Sequence, residues 1–153
     1  MPERKIISLG YNESALRVCV DGVDGDKLWG RVFSMRLSAP IPFGDLGDFV
    51  MKMDQVMDEQ NFPQSFQRKR EFKAGKKKRG LGQVFKALEG EPLTADVVNA
   101  AKGQLATFTV RVLTRQNASW QGHIIWDGEA GVIDFSSELD MVQIVLAKLS
   151  GQN

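Results

Sequence analysis

The chain has 153 residues, 42% of them hydrophobic and 25% charged, which excludes the disordered and membrane classes and leaves a globular chain long enough to bury a core. Lys and Arg number 20 against 19 Asp and Glu, a formal net charge of +1, so attraction to nucleic acid or acidic lipid would have to be local. A single cysteine, Cys19, excludes an internal disulfide framework and fits a reducing compartment.

The opening stretch, MPERKIISLGYNESA, is charged at its start but has no apolar run long enough for a signal peptide, and no later segment approaches a membrane span. A soluble cytoplasmic protein is the expectation. Residues 16–20 (LRVCV) then alternate with the period of two that marks a half-buried strand. Residues 28–35 (LWGRVFSM) are aromatic and β-branched, as strands prefer. The intervening DGVDGD has the Asp and Gly of a turn; it lacks the ligand order and bidentate Glu of an EF-hand loop, so no metal is assigned. Asp45 is a good N-cap with an acid three residues on, Asp48, and Leu46, Phe49, Val50, Met53, Val56 and Met57 follow at helical spacing.

Pro63 and its polar neighbours are expected to end that helix and open a connection over residues 59–103. Within it, Arg68, Lys69, Arg70, Lys73, Lys76, Lys77, Lys78 and Arg79 face one acid, Glu71: eight minus one gives +7, and the rest of the chain sums to 1 minus 7, or −6. Gly75, Gly80 and Gly82 break regularity there, so the run reads as an exposed loop. Residues 83–88 (QVFKAL) suit a short helix or strand. Thr94 caps a helical turn through Ala101, and Gly103 releases the chain.

The remaining third repeats the first. With the constant offset 110 − 18 = 92, Val18, Val20, Gly30, Ile41, Phe43, Asp48 and Val50 fall on Val110, Val112, Gly122, Ile133, Phe135, Asp140 and Val142. Residues 108–112 and 120–126 repeat the two strands, and Asn117 falls on Gly25, both residue types that accept positive φ in a hairpin turn. Gly30 and Gly122 each mark a bulge or a close backbone crossing. Ser137 repeats the helix cap. Leu139, Met141, Val142, Ile144, Val145, Leu146 and Leu149 make the second helix apolar nearly all round, so it calls for cover on a second side from the other half or a second subunit.

The expected fold class is therefore α+β: a tandem duplication of a β-β-(β)-α unit with approximate two-fold symmetry. Antiparallel hairpins, in one continuous sheet or two facing ones, are covered by two helices. Units span 1–58 and 104–153, joined by 59–103 into one compact domain.

No Walker, GxSxG, HExxH or paired-cysteine pattern is present, so the sequence points to no enzyme and no cofactor. His123 falls on Arg31, and Cys19 on Arg111, which reads as the solvent-facing side of each strand. Acids in the first turn of either helix are explained by capping and dipole. Two surfaces stand out. In RQNASWQG, the residues Arg115, Gln116, Asn117, Trp120 and Gln121, with His123 following, set an aromatic beside several hydrogen-bonding groups, a mixture suited to a small ligand or protein partner. The structural alternative is that Asn117 and Ser119 build the turn while Trp120 caps the core. The basic run is the other surface, with Phe66, Phe72 and Phe85 placed to stack on bases of a nucleic acid or to anchor the loop. Two-fold symmetry implies a shared site on the axis; a site on one unit would favour the hairpin.

The stretch RQNASWQGHIIW, with GRVFS and PFGDLGDFVMKMDQVMDEQNFP from the first unit, resembles a family of small bacterial proteins of the gut Firmicutes type that has no assigned activity. The resemblance covers both units and the basic connection less well. It implies an intact, soluble bacterial protein and transfers no catalytic residues. The function expected is a non-enzymatic binding or adaptor protein of the bacterial cytoplasm, able to form a homodimer, with nucleic-acid binding through residues 68–79 as the alternative.

Overall fold

The computed structural model describes residue 10, residues 12–64 and residues 81–150. The basic run, with Phe66 and Phe72, lies outside them. Strands β1 (Leu16–Asp24), β2 (Lys27–Phe33) and β3 (Ile41–Phe43) lead into helix α1 (Leu46–Gln60). Short helices α2 (Leu81–Ala87) and α3 (Ala95–Ala100) precede β4 (Ala106–Thr114), β5 (Gln121–Trp126), β6 (Ile133–Phe135) and α4 (Glu138–Ser150).

The fold is α+β. All six strands form one antiparallel sheet in the order β3-β2-β1-β4-β5-β6. The central pairing of β1 with β4 sets Arg17 opposite Thr109, and Leu16 and Val18 opposite Val110 and Phe108. Shifting each partner by 92 carries Leu16↔Val110 onto Phe108↔Val18 and leaves Arg17↔Thr109 in place, so the register is symmetric about that pair.

Local chemistry explains each half in parallel. Gly25 and Asn117 turn the hairpins at φ +65 and +57, where glycine and asparagine carry little strain. Opposite each bulge, at Val20/Gly22 and at Val112/Thr114, stands a glycine. A Cβ on Gly30 would lie 1.9 Å from the Cys19 carbonyl oxygen, and one on Gly122 1.8 Å from that of Arg111. Only glycine fits either place. Asp45 and Ser137 accept hydrogen bonds from the backbone N–H groups of Asp48 and Asp140, whose carboxylates in turn accept from the N–H groups of Gly44 and Ser136. Both helices thus begin in a reciprocal cap.

Even-numbered residues of the central strands bury one face. Leu16, Val18, Val20, Phe108, Val110 and Ile124 form the core with Phe49, Met53, Val56 and Met57 of α1 and Met141, Val145 and Leu149 of α4. Buried Lys52 joins α1 to its surroundings by donating to the Pro42 carbonyl and the Gln83 side chain.

One expectation fails. Cys19 is fully buried rather than solvent-facing, because the segment from α3 to β4 crosses that side of the sheet. Its contacts include Arg17 Nε donating to the Ala101 carbonyl and Arg31 to that of Lys102. Burial pushes the Cys19 thiol pKa up. Helix α4 buries Met141, Val145 and Leu149 and packs Val142, Ile144 and Leu146 partly against the core, while Leu139 is 65% exposed.

Candidate ligand-binding site

The hairpin singled out by its side chains is built into the core. Arg115 is 3% exposed and Trp120 0%, so neither stands on a rim. Arg115 donates from Nε to the Pro63 carbonyl, from Nη1 to Asp58 at 2.7 Å and from Nη2 to the Met57 carbonyl. It thereby clamps the C-terminal end of α1 and the turn that follows it. The Trp120 indole N–H donates to Asp54, and its ring meets Phe49 edge-on at 6.2 Å. Both residues lie in the second half and dock onto the first half's helix.

Gln121 closes the turn. Its side-chain oxygen accepts from Thr114 and from the backbone N–H of Gln116, and its amide donates back to the Gln116 carbonyl. Asn117 holds the left-handed position, and its side chain and that of Gln116 are exposed. His123 stands between Arg111 and Asp134 in the strand register, half-buried on the face turned away from α1 and α4. Burial first, then the positive charge of Arg111, lower its pKa against the opposing pull of Asp134.

A second arginine shares the α1 terminus. Arg36, 5% exposed, donates to Gln60 and to the Phe62 carbonyl, and its own carbonyl accepts from the Gln60 amide. Burial, reinforced by the nearby charge of Arg115, brings its pKa down to about 9, which leaves it protonated at neutral pH.

The arrangement best suited to a ligand lies on the opposite side of the sheet, across the symmetric pair. Arg17 and Thr109 line a cavity of about 280 Å³ together with Arg111, Asn12, Asn99 and Met35. Alternation along β1 and β4 turns Arg17, Thr109 and Arg111 to this face, and α3 supplies Asn99 and the buried Val98. Arg111 donates to the Asn12 side chain at 3.2 Å. Arg17 is held by the Ala101 carbonyl and, at 3.4 Å, by Asp127. Two guanidinium groups and two carboxamides, with no carboxylate among the described lining residues, are fitted to hold an anion. Of the sequence candidates, His123 alone adjoins this place, through its pairing with Arg111.

The cavity was only indirectly visible in the sequence. An axis was implied by the offset, but Asn12 precedes the first strand and Asn99 sits in the connection, where no periodicity marks them. Among the described residues no three His, Cys, Asp or Glu side chains gather to hold a metal, and no helix is long and apolar enough to cross a membrane. No protein-family model, curated protein or solved structure matches the chain.

Proposed function

We propose that this is a non-enzymatic binding protein whose ligand is a small anion held in the cavity at the β1–β4 pair. The observation that carries the reading is the convergence of Arg17 and Arg111 from adjacent antiparallel strands on one cavity with no acidic residue among its described lining. A volume of about 280 Å³ sits at the low end for small-molecule sites, so it suits a carboxylate- or phosphate-bearing metabolite. Asn12 and Asn99 would fix orientation, and the Met35 and Val98 side chains would take the apolar part.

Calorimetric titration with inorganic phosphate, nucleoside monophosphates and di- and tricarboxylates tests this. Removing one charge-assisted contact costs about 1.5–3 kcal/mol, so Arg111→Gln should weaken the best probe by about tenfold to a hundredfold. Failure of every probe to bind the intact protein at millimolar concentration, or equal binding by Arg111→Gln, rejects the site.

A second reading rests on the charge of +7 between Arg68 and Arg79. A nucleic-acid binder using eight basic residues would lose affinity steeply with salt, about seven logarithmic units of affinity per unit of log salt if all eight met phosphates. Filter binding over a salt series separates the two readings: no retention at low salt removes the nucleic-acid one.

A further inference from the structure

Away from the axis, at the end of the sheet beside α4, Trp126 walls a different cavity of about 300 Å³ with Thr107, Leu105, Asp127, Glu129 and Lys148. Trp126 is 4% exposed, and its ring packs on Phe108 with centroids 4.5 Å apart. Its indole N–H is the one buried side-chain polar atom among the described residues without a hydrogen-bond partner. Buried donors are rarely left so. At the corresponding place in the first half, 126 − 92 = 34, Ser34 donates to the Ala15 carbonyl, so the unsatisfied donor belongs to this half alone.

The surroundings specify what would satisfy it. The Lys148 ammonium lies 5.5 Å from the centre of the Trp126 ring and is paired with Glu129 at 2.6 Å. That pair is partly exposed, Lys148 31% and Glu129 50% accessible, and partly exposed pairs exchange partners at modest cost. Lys102 is already held by Asp127 at 3.0 Å. We infer that this cavity is a binding site for a small monocarboxylate, which replaces Glu129 on the Lys148 ammonium and, with a small shift of the ring that uncovers it, accepts the Trp126 indole N–H, its short aliphatic tail resting on Leu105 and Ala106. One ammonium between two acids suits a single negative charge. A phosphate dianion would meet Asp127 and Glu129, and the other cations nearby, Lys102 and Arg17, are already paired with Asp127.

Side-chain indole resonances of the nitrogen-15-labelled protein test the site directly, since the chain has 3 tryptophans and Trp126→Phe identifies the relevant one. Titration with acetate, propionate, butyrate and inorganic phosphate should move the Trp126 indole proton downfield and saturate with the monocarboxylates but not with phosphate. Lys148→Met should weaken the response by about tenfold or more, Glu129→Gln should strengthen it, and Arg111→Gln should leave it unchanged. An unmoved Trp126 indole at saturating monocarboxylate, a response retained in full by Lys148→Met, or one abolished by Arg111→Gln would each overturn the proposal.

Discussion

Arg115 shows how a residue that reads as a surface feature becomes structural. At position 115 − 92 = 23 the first half has valine, so sequence comparison marks the arginine as an unmatched, exposed novelty. Its partners explain it: Asp54 and Asp58, one helical turn apart on α1, lie within 3.6 and 2.7 Å of its Nη1. Replacing Arg115 by Met should cost about 2–4 kcal/mol in urea-induced unfolding, because the Asp58 carboxylate and the Pro63 carbonyl lose the donor that Arg115 supplies. A loss below about 0.5 kcal/mol, the range of ordinary surface substitutions, would contradict this role. Capping accounts for Asp45 and Asp48, whereas Asp54 and Asp58 lie beyond the first turn and serve this contact. Their partner comes from 57 residues away, a distance no local pattern reveals. His123 gives the pH counterpart. Its pKa is lowered in the fold, so the unfolded chain binds more protons, and stability is fully present above the unfolded value of about 6.5. It falls as pH drops through the lower folded value. His123→Gln should flatten the fall of the unfolding midpoint below about pH 6.5, where no other histidine titrates; an unchanged slope would rule out this cause.

The elements were mostly legible because each carries a local physical signature. Alternation gave β1 and β4, positive-φ residue types gave the hairpin turns, and Asp45, Thr94 and Ser137 gave helix starts whose cap bonds are all present. The glycines of β2 and β5 were legible as close approaches, and their geometry makes a paired test. Gly30→Ala and Gly122→Ala should each destabilise by about 3 kcal/mol or more, in keeping with severe overpacking, since the new Cβ meets backbone carbonyls that cannot rotate away. Gly44→Ala, where a Cβ meets nothing within 4 Å, should stay within about 1 kcal/mol. Similar denaturation midpoints for all three variants would mean that the crossings relax. What stayed hidden was pairing between elements. Nothing in the periodicity of α3 says that it covers the back of β1, which is why Cys19 was expected to face solvent.

Whole-molecule organisation follows from one registration, Arg17 opposite Thr109, and it makes the two halves depend on each other. Each hairpin reaches the other half's helix: Trp120 and Arg115 dock on α1, while Val23 and Gly25 line a cavity with Leu146 and Leu149 of α4. The charged anchoring in the first contact has uncharged counterparts in the second, where Val23 and Leu28 stand for Arg115 and Trp120, and Leu146 and Ser150 for Asp54 and Asp58. A fragment of residues 104–150 alone would leave the inner edge of β4 unpaired. Two copies can satisfy it by pairing β4 with β4 about Thr109, which again sets Val110 opposite Phe108. That dimer would bury Arg115 beside Ser150 and Trp120 beside Leu146, an uncompensated charge and an uncompensated donor in each copy. The fragment should therefore be unfolded as it stands, and Arg115→Val with Trp120→Leu should convert it into a folded dimer. Sedimentation equilibrium and far-ultraviolet circular dichroism across a dilution series would show helix and sheet signals lost together with the dimer. A folded monomer, or a doubly substituted fragment that stays unfolded at high concentration, would mean that the register symmetry does not make the halves interchangeable.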